Sequence, residues 1–267
     1  MTTLEGRRVL VVGASAGIGR AFAQNAVAQG ANVVFSARRK DKLDEAVAEA
    51  GGGTPVAADI CQSDECERMV AEAVGALGGP LDLVFVSAGM APMRMFCDTT
   101  VEDWQRVLGL NVIGVHQAIR AALPHLVPGA IVSVLSSESV DQPRHALGSY
   151  VVSKVALERS IEAWRTEHPQ VRFSTVAVGA TMPTEFGNSF DLELLTRALE
   201  EWAKRGLAQA DFMNTSEVGE YLVEIYAGAL RFPGINIDRM VMRSPSAVVE
   251  EHKTTLTGQR EQGSGQG

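Results

Sequence analysis

Residues 7–19 read Arg7-Arg8-Val9-Leu10-Val11-Val12-Gly13-Ala14-Ser15-Ala16-Gly17-Ile18-Gly19, and the fold is decided by how this run ends. The apolar part is a short strand, and it passes directly into a glycine loop. A helical pattern follows through Phe22, Ala26 and Val27 and stops at Gly30, a candidate C-cap. Asn32-Val33-Val34-Phe35-Ser36 is then a second strand. Strand, glycine loop, helix and strand within about thirty residues make a βαβ unit. Gly13 permits the tight turn off the strand, Gly17 lets backbone approach a pyrophosphate, and Gly19 lets helix and strand pack closely. The helix N-terminus favours the phosphate charge. Ser15, Ala16 and Ile18 lie between these glycines and count with them as candidate nucleotide-binding residues. The spacing is G-x-x-x-G-x-G rather than the commoner G-x-G-x-x-G.

The second strand runs into Ala37-Arg38-Arg39-Lys40. An acid at this point would meet a free adenosine ribose, but Ala37 stands there instead. Arg38 and Arg39 suit a ribose 2′-phosphate by charge and by bidentate geometry, which favours NADP(H) over NAD(H). The plain alternative is a solvated basic stretch at the start of the next helix.

The alternation continues along the chain. Lys42 to Ala50 is helical, Pro55 to Ala58 a strand ending at Asp59-Ile60, and Asp64 to Leu77 a helix. Leu81 to Val86 is a strand, apolar except for Asp82, that ends in Ser87-Ala88-Gly89. A long helix from Glu102 to about His125 contains Asn111. Ala130 to Leu135, Val171 to Val178 and Ile235 to Met242 read as further strands. About seven strands alternating with helices imply an α/β fold, a doubly wound parallel sheet with helices on both faces. Ligands in such sheets bind beyond the carboxyl ends of the strands. Gly13, Arg38, Asp59, Gly89, Ser137 and Gly179 all fall at such ends.

Ser137 follows its strand directly, and Tyr150 and Lys154 stand four apart, on one face of the next helix. A phenol there can pass a proton, a nearby ammonium can stabilise its phenolate, and a hydroxyl can hold a substrate oxygen beside it. Tyr-x-x-x-Lys alone is weak, and the surrounding chain has to support it.

Composition bounds the rest. Of 267 residues, 46% are hydrophobic and 21% charged, a globular balance, and the formal net charge is −8. That charge argues against general nucleic-acid or anionic-membrane binding. No apolar run is long enough for a membrane span. The N-terminus lacks the basic and apolar regions of a signal peptide. Cys61, Cys66 and Cys97 form neither a full disulfide set nor a metal site, so a reduced, cytoplasmic protein without a metal is expected.

Taken together, these residues resemble the short-chain dehydrogenase/reductase family from about residue 5 to about residue 245. The likeness rests on the glycine loop, Asp59-Ile60, Asn111, Ser137 thirteen positions before Tyr150, and Tyr150-Val151-Val152-Ser153-Lys154. It implies a Rossmann-type fold, with Ser137 and Tyr150 holding a substrate carbonyl and Tyr150 passing the proton. It implies that Lys154 lowers the tyrosine pKa and holds the nicotinamide ribose, and that Asn111 holds a water linking Lys154 to solvent. Asp59 would contact adenine, and Ala88 and Gly89 would border the cofactor. A homodimer or homotetramer, paired through the helices at 102–125 and 150–167, is implied as well.

The chain departs from the family pattern at three places. Val86 replaces an amide that normally braces the sheet. Val178-Gly179 stands for Pro-Gly, leaving Thr181 or Thr184 to meet the nicotinamide amide or phosphates. Asp238 to Met242 replaces a glycine-rich ending. One domain is expected over 1–249, with a polar tail at 250–267. Residues 186–213 could form a substrate lid, with Leu192, Leu195, Leu199 and Trp202 on one helix side. Met90, Met93, Met95 and Phe96 suit an apolar small-molecule carbonyl or alcohol substrate, and His145 reads as a polar loop residue or a pocket wall. The leading expectation is an NADP(H)-dependent enzyme interconverting a ketone and a secondary alcohol. A dehydratase or epimerase on the same scaffold, or a nucleotide-binding regulator without turnover, are the alternatives.

Overall fold

The computed structural model describes residues 3–245; the expected tail at 250–267 lies outside them. The first half contains β1 (Arg8–Val12), α1 (Gly17–Ala28), β2 (Asn32–Ala37), α2 (Lys40–Ala50), β3 (Thr54–Ala57), α3 (Ser63–Leu77) and β4 (Leu81–Val86). Next come α4 (Val101–Leu108), a π-helical turn (Gly109–Gly114), α5 (Val115–Ala122), β5 (Leu126–Ser137), α6 (Gly148–Glu167) and β6 (Arg172–Val178). The described chain closes with β7 (Thr181–Met182), α7 (Leu192–Lys204), β8 (Met213–Asn214), α8 (Thr215–Leu230) and β9 (Arg239–Met242).

The large sheet is parallel throughout, in the order β3-β2-β1-β4-β5-β6-β9. This is the doubly wound Rossmann-type arrangement. The chain builds outward from β1 in one direction, then returns to β4 and builds in the other. The reversal between β1 and β4 opens a crevice at their carboxyl ends. Successive side chains of a strand point to opposite faces, and here both faces are covered. Leu10 and Val12 join a core with α3, α5 and α6. Val9 and Val11 join a second core with α1, α2 and α8. In that second core the Phe22 and Phe85 rings stack with centroids 4.3 Å apart.

Val86 does not leave the sheet weak at its centre. It is buried, paired in register with Val12 on one side and Val134 on the other. Apolar packing takes the place of the amide brace.

Two expectations need correction. The last strand and the packed side of α7 differ from the reading above, whereas the long helix itself runs unbroken from Val101 to His125, with a π-helical turn that holds Asn111 and a last 3-10 turn that holds Pro124. The last strand starts at Arg239 rather than Ile235. The Arg172 guanidinium draws the carbonyls of Phe232 and Ile235 toward itself, and Asn236 donates to Phe173 O, so residues 235–238 form a loop rather than strand. On α7, Leu192 and Leu199 are exposed, and the packed side is Leu194, Leu195, Ala198 and Trp202. A second small sheet pairs β7 with β8 and ties the two ends of the segment before α8 together. No described helix is long and apolar enough to cross a membrane.

Asp82 is the charge that the β4 pattern did not explain. It is buried and accepts from Arg7 Nη1 at 2.9 Å, Arg8 N at 3.0 Å and Arg8 Nε at 3.2 Å. Burial raises its pKa, but these hydrogen bonds outweigh burial and hold it below the usual carboxylate range. A carboxylate depressed in the folded state contributes stability above its unfolded pKa and loses it as pH falls through the folded one. Asp82→Ala is therefore expected to cost about 2–3 kcal/mol in urea unfolding at neutral pH. The gap between variant and wild type should close in acid, below the ordinary carboxylate range. An unchanged gap there would contradict this account.

Candidate active site

Ser137 ends β5, and Tyr150 and Lys154 occupy the first two turns of α6. The Ser137 hydroxyl stands close enough to the Tyr150 phenol to favour its ionised form. It also accepts from Ser139 N at 3.2 Å and Ser139 Oγ at 2.8 Å. With its oxygen accepting from Ser139, the Ser137 proton points to the phenol or to a substrate oxygen. Ser139 was not expected; its position two residues after Ser137 was the available signal.

Lys154 Nζ donates to Leu135 O at 2.8 Å and lies 5.9 Å from the Tyr150 ring centroid. Both side chains are buried, and burial disfavours the charged form of each. The phenol is pushed up to about 12, with the Ser137 hydroxyl pulling the other way. The ammonium is pushed down to about 8, partly offset by Glu158.

Asn111 is fully buried. Its Oδ1 accepts from Met90 N, and its Nδ2 donates to Met90 O and Ser153 Oγ, each at 2.9 Å. Both amide hydrogens are committed, so only the second lone pair of Oδ1 is left for a water. Asn111 ties the loop after β4 to α6. Lys154 Nζ and Asn111 Oδ1 also flank Gly89, at 3.3 and 3.5 Å from where a Cβ would stand.

The other candidates gather around the ends of β1 to β4. Gly13 has φ +91°, and a Cβ on it would meet Ala88 N at 2.6 Å. A Cβ on Gly19 would strike the Gly13 carbonyl. These two glycines are needed because the loop after β4 and the start of α1 crowd the turn. Ala16 caps α1 without a side-chain hydrogen bond, so no side chain takes up the first-turn N–H groups from that position. Ile18 sends its side chain into the core, and Ser15 is buried beside Arg39. Arg38 lines an open recess of about 430 Å³ with Ala57, Ala58, Asp59, Glu65 and Arg68. Asp59 accepts from Cys61 N at 3.0 Å. Ile60 is core rather than recess: it is buried, and a Cβ on Gly114 would stand 3.0 Å from its Cγ1.

On the far side, Gly179 N donates to Met242 O at 2.9 Å, and Thr181 Oγ1 turns back to Gly179 O at 3.0 Å. Thr184 is the threonine beside the glycine loop, 3.8 Å from a Cβ placed on Gly17. Phe186 meets Tyr150 edge-on with ring centroids 5.1 Å apart. Met93, Ala146 and Leu147 pack with Tyr150 and Ala198 in a third apolar cluster, against which Met95 and Trp202 rest. Trp202 Nε1 donates to His145 O at 3.1 Å, so His145 contributes its backbone here. Phe96 is largely exposed. Next to Ser137, the buried Glu138 pairs with Arg144 and with Arg243, and Arg144 also reaches Leu207 O. A charged residue directly after the strand-end serine was the signal for this pair. The residues present fit a dinucleotide: a glycine cradle that a Cβ would fill, an N-cap without a side-chain partner, and two arginines beyond β2.

A family model described as short chain dehydrogenase matches residues 7–193. Glucose 1-dehydrogenase of Gluconobacter oxydans is 34% identical over 186 residues, covering 66% of this chain and 69% of that protein. L-xylulose reductase of Homo sapiens is 41% identical over 137 residues, covering 50% of this chain and 54% of that protein. Among solved structures, a short-chain type dehydrogenase/reductase from Mycobacterium marinum superposes with TM-score 0.78 at 26% identity, over 90% of this chain and 95% of that one. A short chain dehydrogenase from Burkholderia cenocepacia, solved in complex with NADP, gives TM-score 0.77 at 23% identity over 90% and 97%, a likeness of fold.

Asn111→Ala would remove three hydrogen bonds and leave the Met90 groups half-buried without partners. It is expected to cost about 2 kcal/mol in denaturant unfolding, with Asn111→Asp recovering part of the loss. A cost below about 0.5 kcal/mol would show that this amide does not brace the site.

Proposed function

The chain belongs to the short-chain dehydrogenase family of NAD(P)-dependent oxidoreductases acting on CH–OH and C=O groups, and from that premise we propose an NADP(H)-dependent enzyme that interconverts a ketone and a secondary alcohol on a lipophilic small molecule. The observation that carries this reading is the convergence of Ser137, Tyr150 and Lys154, all buried, at the carboxyl end of β5. The bound nicotinamide supplies or accepts the hydride. During reduction, Tyr150 donates its proton to the carbonyl oxygen and Ser137 Oγ donates a hydrogen bond to the same oxygen. During oxidation the proton returns to Tyr150. Lys154, anchored on Leu135 O, keeps a positive charge near the forming phenolate. Asn111 holds the loop at Met90 against α6 and so fixes where Lys154 stands.

Ala37 in place of an acid, followed by Arg38 and Arg39, supports the phosphorylated cofactor. The apolar cluster of Met93, Leu147 and Trp202 around Tyr150 supports a lipophilic substrate. The segment 186–213 serves in this reading as a substrate lid on a single domain spanning 1–249. Exposed Ile113, Val152 and Val155 support subunit pairing through the helices that carry them, as a homodimer or homotetramer. The thiols of Cys61 and Cys97 are exposed and unpaired, which supports the reducing cytoplasm.

Calorimetric titration tests the cofactor assignment. NADPH is expected to bind at least about tenfold tighter than NADH, and Arg38→Ala to remove most of that preference. Equal binding of the two would overturn the phosphate role of Arg38.

The acid–base assignment has a pH signature. Reduction needs the Tyr150 proton, held up to about pH 12, and the Lys154 charge, held up to about pH 8. The rate of NADPH-dependent reduction is expected to fall as pH rises through about 8, and Lys154→Met to abolish that limb. Tyr150→Phe is expected to lower kcat by about 10²- to 10⁴-fold. A Tyr150→Phe enzyme of near-normal rate would remove this residue from the chemistry.

A further inference from the structure

Three consecutive residues after β7 touch three different parts of the cleft. Thr184 lies against Gly17 of the glycine loop. Glu185 takes both arms of the Arg39 guanidinium, at 3.2 Å from Nη1 and 2.5 Å from Nη2. That same Nη2 donates to Ser15 Oγ at 3.2 Å. Phe186 sets its ring edge-on against Tyr150, and Phe190 supports it from behind at 5.5 Å.

We propose that Glu185 is a specificity-determining residue: an internal carboxylate that competes with the cofactor 2′-phosphate for Arg39 and, through Phe186, couples that competition to access to Tyr150. The inference rests on the reading that Arg38 and Arg39 face the 2′-phosphate. A guanidinium fork offers two parallel N–H bonds, which a carboxylate and a phosphate fill equally well. The Arg39–Glu185 pair is open to water, with side chains 47% and 44% exposed. An exposed pair of this kind contributes little, so a phosphate of higher charge displaces it readily. A cofactor with a free 2′-hydroxyl has no group that must take Arg39 from Glu185. The carboxylate therefore weakens binding of the phosphorylated cofactor alone. Adjacent Cα atoms are about 3.8 Å apart, so a backbone shift that takes Glu185 from Arg39 also moves Phe186, the ring set against Tyr150. Release by such a backbone shift uncovers the phenol.

The test measures binding without turnover, using adenosine 2′-monophosphate, adenosine 5′-monophosphate, NADPH and NADH in calorimetry. Glu185→Gln is expected to tighten the 2′-phosphorylated ligands about threefold to fivefold and to leave the other two unchanged. Hydrogen exchange of the 184–190 amides is expected to speed up with adenosine 2′-monophosphate and not with the 5′-isomer. Arg39→Ala separates the two readings. If it weakens the 2′-phosphorylated ligands while Glu185→Gln does not tighten them, competition by Glu185 is wrong and the arginine assignment stands. If Arg39→Ala leaves them unchanged, Arg39 does not meet the phosphate and competition by Glu185 falls with it, while Arg38 stands on its own test. Exchange that slows or stays constant with adenosine 2′-monophosphate overturns the coupling to Phe186.

Discussion

A parallel sheet covered on both faces must be apolar on both faces, because a charge between its layers would lose its water without gaining a partner. This constraint arranges the rest of the molecule. The ionisable side chains of the strands sit near their ends. Asp82 and Arg172 lie near the amino ends, each held by several hydrogen bonds. The polar residues that can do chemistry collect at the carboxyl ends, where the chain leaves the sheet and the order reverses between β1 and β4.

The same burial governs the electrostatics of the site. Tyr150 and Lys154 are both removed from water, and each shifts toward its neutral form. The shifts are unequal in consequence. A phenol that keeps its proton is ready to act as an acid. An amine poised near 8 changes charge close to neutrality, so Lys154 becomes the titrating group. Ser137 is the one partner that favours the phenolate directly, and Ser139 orients it by occupying its acceptor side. Asn111 sits behind these groups as a strut, and the π-helical turn gives its amide a bulged position from which it reaches both Met90 and Ser153.

The front of the cleft is built on different principles. The segment from Thr181 to Asn214 leaves the sheet, pairs its ends as β7 and β8, and lays α7 over the third apolar cluster. It is fastened by contacts of two kinds. Buried Glu138 and Arg144 tie Trp202 and Leu207 to the loop beside Ser137. Exposed Glu185 ties the near end to Arg39. A buried pair resists separation far more than an exposed one, so the α7 end is the fixed side of this segment and the 184–186 end the yielding one.

The sequence by itself determined the alternation of strands and helices, the glycine loop and the spacing of Ser137, Tyr150 and Lys154, because each depends on neighbours a few residues away. Period, turn chemistry and local spacing are legible in a linear string. The π-helical turn in the long helix, the start of β9 at Arg239 and the packed side of α7 were decided only by tertiary structure. Each depends on a partner distant in the chain: Met90 and Ser153 for Asn111, Phe232 and Ile235 for Arg172, and the loop at 145–147 for Trp202. The pKa values of Tyr150 and Lys154 belong to the second group too. Residue types show which groups can titrate, but desolvation is a property of the whole packed site, and it is the largest cause of both shifts.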